Sequence, residues 1–310
     1  MDILTDSELR PGRFAASAVA VGNFDGVHLG HQALIRCLVE RGAALGGPSI
    51  VYTFDPHPLR VLHPAACPPM LTDFTDKAAR VAQLGADVMV RVRFDREYAA
   101  RPAEWFASDV LGDQLGASEV WVGPDFAFGR ARKGGPAMLT RVGAVKGYSV
   151  RSLPPVAIDG ERVSSTRVRE AVYAADFGEA SRLLGRPFSL HGRVAHGVGR
   201  GRGLGFPTAN LAPREECLPP EGVYAAWAVV AGKTLPAAVN IGGNPTFGPG
   251  AVTVEAHLLD FTDSLYGEEM EILFVHRIRG EIAFGSAEAL AAQIGRDVAA
   301  VRGVLAEARA

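Results

Sequence analysis

Cysteine is scarce: Cys37, Cys67 and Cys217 are the only three in 310 residues. Their spacing fits no zinc-ligand pattern, and three thiols form no even-numbered disulfide framework. The chain therefore reads as one held together by burial, with unpaired thiols in a reducing compartment. Long hydrophobic runs are missing as well. Nothing approaches the roughly 18 apolar residues of a membrane-spanning helix. The opening MDILTDSELRPGRF carries acids early and lacks the apolar core of a secretory signal. The expectation is a cytoplasmic protein with no membrane partner. Charge excess of either sign is also absent, since 32 Lys and Arg face 34 Asp and Glu for a net −2. No global positive field is available to recruit nucleic acid, although local Arg and Gly clusters can still hold small anions. Internal repeats and low-complexity tracts are absent too.

What is present is ordinary globular composition, 48% hydrophobic and 21% charged, over a length that suggests two domains. In the first half, apolar strand-like stretches alternate with helical ones. The strands are Ala18–Val21, Ile50–Phe54, Val88–Val92 and Val120–Gly123; the helices are His31–Leu45, Asp73–Leu84, Pro102–Leu111 and Pro136–Val145. Alternation of this kind predicts an α/β domain with an open, doubly wound parallel sheet, whose ligands sit beyond the carboxyl ends of the strands. The second half changes period. Phe188–His196, Gly222–Ala231, Ala237–Ile241, Val252–Leu259 and Met270–Ile278 are strand-like with no helix between them, which predicts an antiparallel sheet or small β-barrel. From Ser286 a terminal helix follows. Its stripe Leu290, Ile294, Val298, Val301 and Leu305 is read as packing on the barrel. The division is placed at 184/185, giving domains 1–184 and 185–310.

The segment Gly22-Asn23-Phe24-Asp25-Gly26-Val27-His28-Leu29-Gly30-His31 runs from the first strand into the first helix. Glycines allow close backbone approach, and a helix N-terminus offers free N–H groups to an anion. His28 and His31 can both donate to phosphate oxygens. The plainer alternatives are a metal pair, for which no third ligand is evident, or surface histidines. A second segment is Ser164-Ser165-Thr166-Arg167-Val168-Arg169. Its hydroxyls suit a helix N-cap, and with its arginines it can also grip phosphates; the residues alone leave both readings open. In the second half, His196–Asn210 is dense in glycine and includes Gly199, Arg202, Gly203, Gly205, Pro207, Thr208 and Asn210. It is neither a Walker A loop nor a dinucleotide fingerprint. It is a surface loop or an anion-binding nest. Thr208 and Asn210 alternate on an extended stretch, so both can face one side as oxygen ligands for Mg²⁺. Glu255 shares a strand face with Thr253 and His257. It is either a solvated acid or a base placed to take a proton from an alcohol. Arg277 and Arg279, near the end of the last strand, could reach phosphates or be solvated barrel charges, and receive no role.

Together these motifs resemble a known family. HxGH early and SSTxxR late, with Val163 where Ile is usual, resemble the nucleotidylyltransferase superfamily. GNFDGVHLGH, Phe54-Asp55-Pro56-His57-Pro58 and Val122-Gly123-Pro124-Asp125-Phe126-Ala127-Phe128-Gly129 are similar to the FMN adenylyltransferase module of bacterial bifunctional FAD synthetases. GRGRGLGFPTAN, Gly222-Val223-Tyr224-Ala225, Asn240-Ile241-Gly242-Gly243-Asn244-Pro245-Thr246-Phe247 and Val254-Glu255 resemble the riboflavin kinase module. The resemblance implies ATP, riboflavin and FMN as substrates and Mg²⁺ as cofactor. It implies a nucleotide at Gly22, Phe24, Asp25, Gly26, His28, Gly30, His31 and the turn Ser164, Ser165, Thr166 and Arg167. Flavin is implied near Phe54, Pro56, His57, Pro58, Asp125, Phe126 and Phe128. In the second module Thr208 and Asn210 would hold Mg²⁺ and ATP phosphates, with Glu255 as base. Alternatives are a chain keeping one activity, or a non-catalytic flavin-binding regulator, which would need neither Glu255 nor the two histidines. Nucleic-acid binding through the Arg/Gly loop is disfavoured by charge and by the lack of interleaved aromatics. The oligomeric state stays open between a monomer and a transient homo-oligomer.

Overall fold

The computed structural model describes residues 1–123, 125–195, 203, 205–243 and 252–308. Two compact units emerge: Met1–Pro68 with Phe74–Val163, and Pro69–Asp73 with Ser164–Ala310. The compact division thus falls at Val163/Ser164, whereas the sequence reading divides the chain at 184/185. The physical reason is helix Phe177–Leu184. Its Phe177 ring stacks on Phe188 and Phe274 at centroid distances of 6.2 and 5.2 Å, within the aromatic core of the second unit.

In the first unit, strands β1 (Asp2–Thr5), β2 (Ser17–Val21), β3 (Ser49–Phe54), β4 (Val88–Val92), β5 (Ala117–Trp121) and β6 (Ser149–Arg151) form one sheet. Its order is β1-β4-β3-β2-β5-β6, and every pair is parallel. The chain moves outward from β2 through β3 and β4, then resumes on the other side of β2 with β5 and β6. That reversal places a crevice beyond the carboxyl ends of β2 and β5. Burial on both faces explains the apolar runs. Val19 and Val21 enter one core cluster, and Ala18 and Ala20 the opposite one. Edge strands β1 and β6 are short and largely exposed, so they lack the apolar pattern that betrays the central strands. The helix expected over Pro102–Leu111 continues to Gln114 with π-helical character from Phe106. A small hairpin, β7 (Ala157–Ile158) with β8 (Glu161–Arg162), leads to Val163.

The second unit contains β9 (Ser189–Ala195), β10 (Ala209–Pro213), β11 (Gly222–Val230), β12 (Lys233–Gly243), β13 (Val252–Leu258) and β14 (Glu269–Arg279). They close a barrel in the order β10-β13-β12-β11-β14-β9, antiparallel throughout. Inward positions such as Val254, Ala256, Val239 and Ile241 are fully buried. Their neighbours along each strand face out. The terminal helix spans Ala287–Glu307, with the Ser286 side chain capping Ala289 N at 3.2 Å. Leu305 and Val301 pack with Ala225 and Leu259. No helix among the described residues is long and apolar enough to cross a membrane.

Candidate functional site

The first candidate site grows from the turn after β2. Phe24, Gly26 and Val27 all take positive φ, at 51°, 80° and 41°. For β-branched Val27 this is a costly conformation of the kind concentrated at working sites. The turn buries Asp25 and delivers His28 as the N-cap of helix Leu29–Leu45. His28 Nδ1 accepts from His31 N at 3.4 Å. A ring that accepts at Nδ1 carries a proton on Nε2, a donor by type for an anion. The two imidazoles stack at 3.7 Å between centroids, and Phe24 lies edge-on to His31 at 5.3 Å. His31 Nδ1 is buried without a partner. Burial foremost, then proximity to His28 and the positive charges of Lys77 and Arg162, hold the His31 imidazole well below its ordinary pKa. It is a neutral donor rather than a cation. Gly30 is where the backbone must come close, since a Cβ there would sit 3.1 Å from the His28 ring.

Lys77, only 7% exposed, and Arg162 both bring positive charge to His31. Sequence reasoning missed them because they lie far along the chain, on helix Phe74–Gln83 and on β8. Asn23 joins this turn to the Phe54–Pro58 segment, its Nδ2 lying 2.9 Å from His57 Nε2. His57 Nδ1 in turn accepts from Leu59 N at 3.2 Å, with Pro58 opening a short helix. Pro56 follows a cis peptide, and Gly22 N donates to Tyr52 O at 3.1 Å.

The aromatic residues expected beside flavin are brought together in one cluster. Phe126 and Phe128 stack at 5.4 Å, Phe128 meets Phe106 at 5.2 Å, and Phe54 packs edge-on to Tyr52 at 5.7 Å. Phe128 is 9% exposed and belongs to the sheet's core cluster, and a Cβ on Gly134 would meet its ring at 2.6 Å. Asp125 is exposed, 3.7 Å from Arg162. Pro124 lies outside the described residues. A cleft of about 570 Å³ opens beyond the ends of β1, β3 and β4. Of the expected site segments it includes only Asp55, and its Arg91 and Arg101 are already tied to Asp55 and Glu97.

In the second unit, Ser164 caps helix Ser165–Tyr173, accepting from Arg167 N at 3.2 Å. Ser165 is half-buried and Thr166 exposed. The Arg167 guanidinium is ion-paired with Glu179, and the Arg169 Nε donates to Pro69 O at 2.8 Å.

On the barrel, alternation along β13 turns Thr253, Glu255 and His257 outward while Val254, Ala256 and Leu258 fill the interior. The ladders align Asn210, Glu255 and Asn240 in one row across β10, β13 and β12. Side chains so aligned are immediate neighbours, so the carboxylate stands between two amides. Thr208 Oγ1 donates to Glu255 Oε2 at 3.4 Å, and His257 Nδ1 lies 2.8 Å from Pro207 O. Thr208, Asn210, Asn240 and Glu255 line a cavity of about 380 Å³ whose opposite wall includes Leu290, Ile294 and Val298 of the terminal helix. This size suits a small-molecule ligand. The stripe packs on the barrel as expected through Val298, Val301 and Leu305, and it has a second job, since Leu290, Ile294 and Val298 also face the cavity. Asn240 was seen only as part of a motif, because its alignment with Glu255 depends on strand register. Arg279 is neither a solvated barrel charge nor left over; it lines the cavity and pairs with Asp297. Arg277 donates to Glu221 O at 2.7 Å. Gly203 and Gly205 are exposed, while Gly199 and Arg202 lie outside the described residues, as do 244–251.

Comparison with known proteins yields concordant matches. Residues 12–167 match the family described as FAD synthetase, and residues 184–305 the one described as Riboflavin kinase. A bifunctional riboflavin kinase/FMN adenylyltransferase of Pseudomonas fluorescens is 41% identical over 299 residues, covering 96% of each chain. One of Escherichia coli (strain K12) is 40% identical over 280 residues, covering 90% of each. A crystal structure titled as a macrolide-efflux protein from Streptococcus pneumoniae superposes with a TM-score of 0.82 at 27% identity, covering 97% of this chain and 99% of that one.

Proposed function

The chain belongs to the bifunctional riboflavin kinase/FMN adenylyltransferase family, and from that premise we propose how its residues divide the two reactions. Riboflavin is phosphorylated by ATP to FMN, and FMN is then adenylylated by a second ATP to FAD. We keep 184/185 as the functional boundary, since the kinase match begins at residue 184.

The kinase reaction starts from a neutral alcohol. Glu255 takes the proton of the ribityl 5′-hydroxyl as that oxygen attacks the γ-phosphorus and ADP leaves. Asn210 and Asn240 flank the carboxylate, and Thr208 donates to it. A hydroxyl and an amide oxygen from Thr208 and Asn210 are hard donors that suit Mg²⁺. When bound, the ion neutralises phosphate charge. Gly199, Arg202, Gly203, Gly205 and Pro207 belong to the proposed phosphate-side loop. The wall of Leu290, Ile294 and Val298 suits the flat apolar ring of a flavin.

Adenylyl transfer needs no general base. An FMN phosphate oxygen, already ionised, attacks the α-phosphorus and pyrophosphate departs. Catalysis is by position and charge. The His28 Nε2–H, the neutral His31 and the amides of helix Leu29–Leu45 face that charge, with Lys77 and Arg162 adding to the field. Gly22, Phe24, Asp25, Gly26 and Gly30 shape the turn. Ser164, Ser165, Thr166 and Arg167 keep a proposed part in gripping phosphates, Arg167 on release from Glu179. Phe54, Pro56, His57, Pro58, Asp125, Phe126 and Phe128 keep a proposed part on the flavin side, with Phe128 acting through packing. We place the enzyme in the cytoplasm, where ATP is supplied, without nucleic-acid or membrane partners.

The observation that carries the reading is Glu255 standing between Asn210 and Asn240 over a cavity walled by the terminal helix. Incubation of the purified chain with riboflavin, ATP and Mg²⁺, followed by chromatography, should yield FMN then FAD, with ADP and pyrophosphate. Excess chelator should stop both steps. Formation of only one flavin product, or turnover that survives chelation, would contradict the assignment.

A further inference from the structure

Among the described residues, the ion pairs Arg302–Asp260 and Arg279–Asp297 tie the terminal helix to the barrel. Arg302 and Asp260 meet at 2.7 Å with side chains 50% and 71% exposed. Arg279 and Asp297 meet beside the cavity with side chains 18% and 6% exposed. The second pair is built with more care. Arg279 Nε donates to both Asp297 oxygens at 3.1 Å, and Nη2 donates to Oδ2 at 2.8 Å. Gln293, one turn earlier on the helix, donates to Asp297 Oδ1 at 2.8 Å. Arg279 Nη1 donates to Gly280 O at 2.8 Å. Asp297 sits on the helix next to Val298 and one turn after Ile294, both lining the cavity opposite Glu255.

We propose that the Arg279–Asp297 pair is a latch that positions the helix wall, setting affinity for the flavin alcohol rather than the rate of phosphoryl transfer. The proposal rests on the reading of this cavity as the kinase site. Arg279 is placed as a positioning residue and not as a phosphate ligand for a chemical reason. Its charge is already matched by a buried carboxylate, and three of its five N–H groups are committed. A guanidinium fork holding two carboxylate oxygens fixes angle as well as distance, which a point charge cannot do. The Arg302–Asp260 pair is also a two-oxygen fork, at 2.9 and 2.7 Å, but it is exposed, screened by water and outside the cavity lining, so it neither gains as much nor bears on the wall.

The test measures riboflavin affinity by quenching of riboflavin fluorescence, together with kinase KM and kcat, in the full chain. Arg279→Gln should raise the dissociation constant and KM for riboflavin about tenfold, leave kcat within about threefold, and leave KM for ATP unchanged. Arg279→Lys should recover only part of the loss, and Arg302→Ala should have no effect. Because Arg279→Gln strands a buried carboxylate, the double variant Arg279→Ala/Asp297→Asn guards against misfolding. Its thermal midpoint should return toward wild type while riboflavin binding stays weak. Recovery of binding together with the midpoint would reduce the pair to a structural one and overturn the proposal. So would a rise in KM for ATP, or a fall in kcat, with riboflavin binding unmoved. Failure of the kinase reading itself looks different: the wild-type chain would neither quench nor phosphorylate riboflavin.

Discussion

Replacing Glu255 by Gln removes one ionisable oxygen and little else. The side chain keeps its length, its place between Asn210 and Asn240, and an oxygen that can still accept from Thr208. Substrate binding should therefore change little, and the loss should fall on kcat. A positioned general base contributes about 10²–10⁴-fold, equivalent to about 3–5 kcal/mol of barrel-site transition-state stabilisation. The assay is quantitative chromatography of FMN from riboflavin under saturating ATP. Conversion of supplied FMN to FAD by the same preparation serves as an internal control, because the histidine turn lies in the other unit. The reasoning is refuted if kcat stays within about threefold of wild type. It is equally refuted if both activities collapse while the thermal midpoint is unchanged.

Four further outcomes follow from particular contacts. His28→Ala with His31→Ala should abolish FAD formation while FMN accumulates; undiminished FAD would remove the pair from the nucleotide site. The depressed pKa of buried His31 means that the unfolded chain takes up its proton first as pH falls. Its contribution to stability is complete above about pH 6.5 and is lost progressively below that, so unfolding titrations of His31→Gln should show a shallower acid decline than wild type. Leu305→Ala, at a residue 2% exposed, should cost about 2–5 kcal/mol in denaturant unfolding, whereas Leu290→Ala should chiefly raise KM for riboflavin; equal effects would deny that the stripe is divided. Gly192→Ala would place a Cβ 2.1 Å from Ala212 O where β9 meets β10, and should lower stability by about 1–3 kcal/mol in a melting experiment.

Much of this molecule is written locally. Buried parallel strands announce themselves because both faces are apolar, as in Ser17–Val21, where every residue is buried. The period-two pattern of β13 and the Ser286 cap are equally local, and so are the His28–His31 and Thr208–Asn210 motifs, since close backbone approach and the proposed phosphate contacts demand particular residue types at fixed spacing. Edge strands β1 and β6 carry no such signature, and β10, with only Leu211 buried, lacks an apolar pattern and is defined as a strand by pairing with both β9 and β13. What only the folded chain decides is who stands beside whom. Asn240 meets Glu255 through strand register, Lys77 and Arg162 come near His31 from helix Phe74–Gln83 and the β7–β8 hairpin, and Arg279 finds Asp297 through helix docking. Each of these neighbours is separated along the chain by 15 or more residues. Such partnerships are set by three-dimensional packing, for which no short window of sequence holds the information.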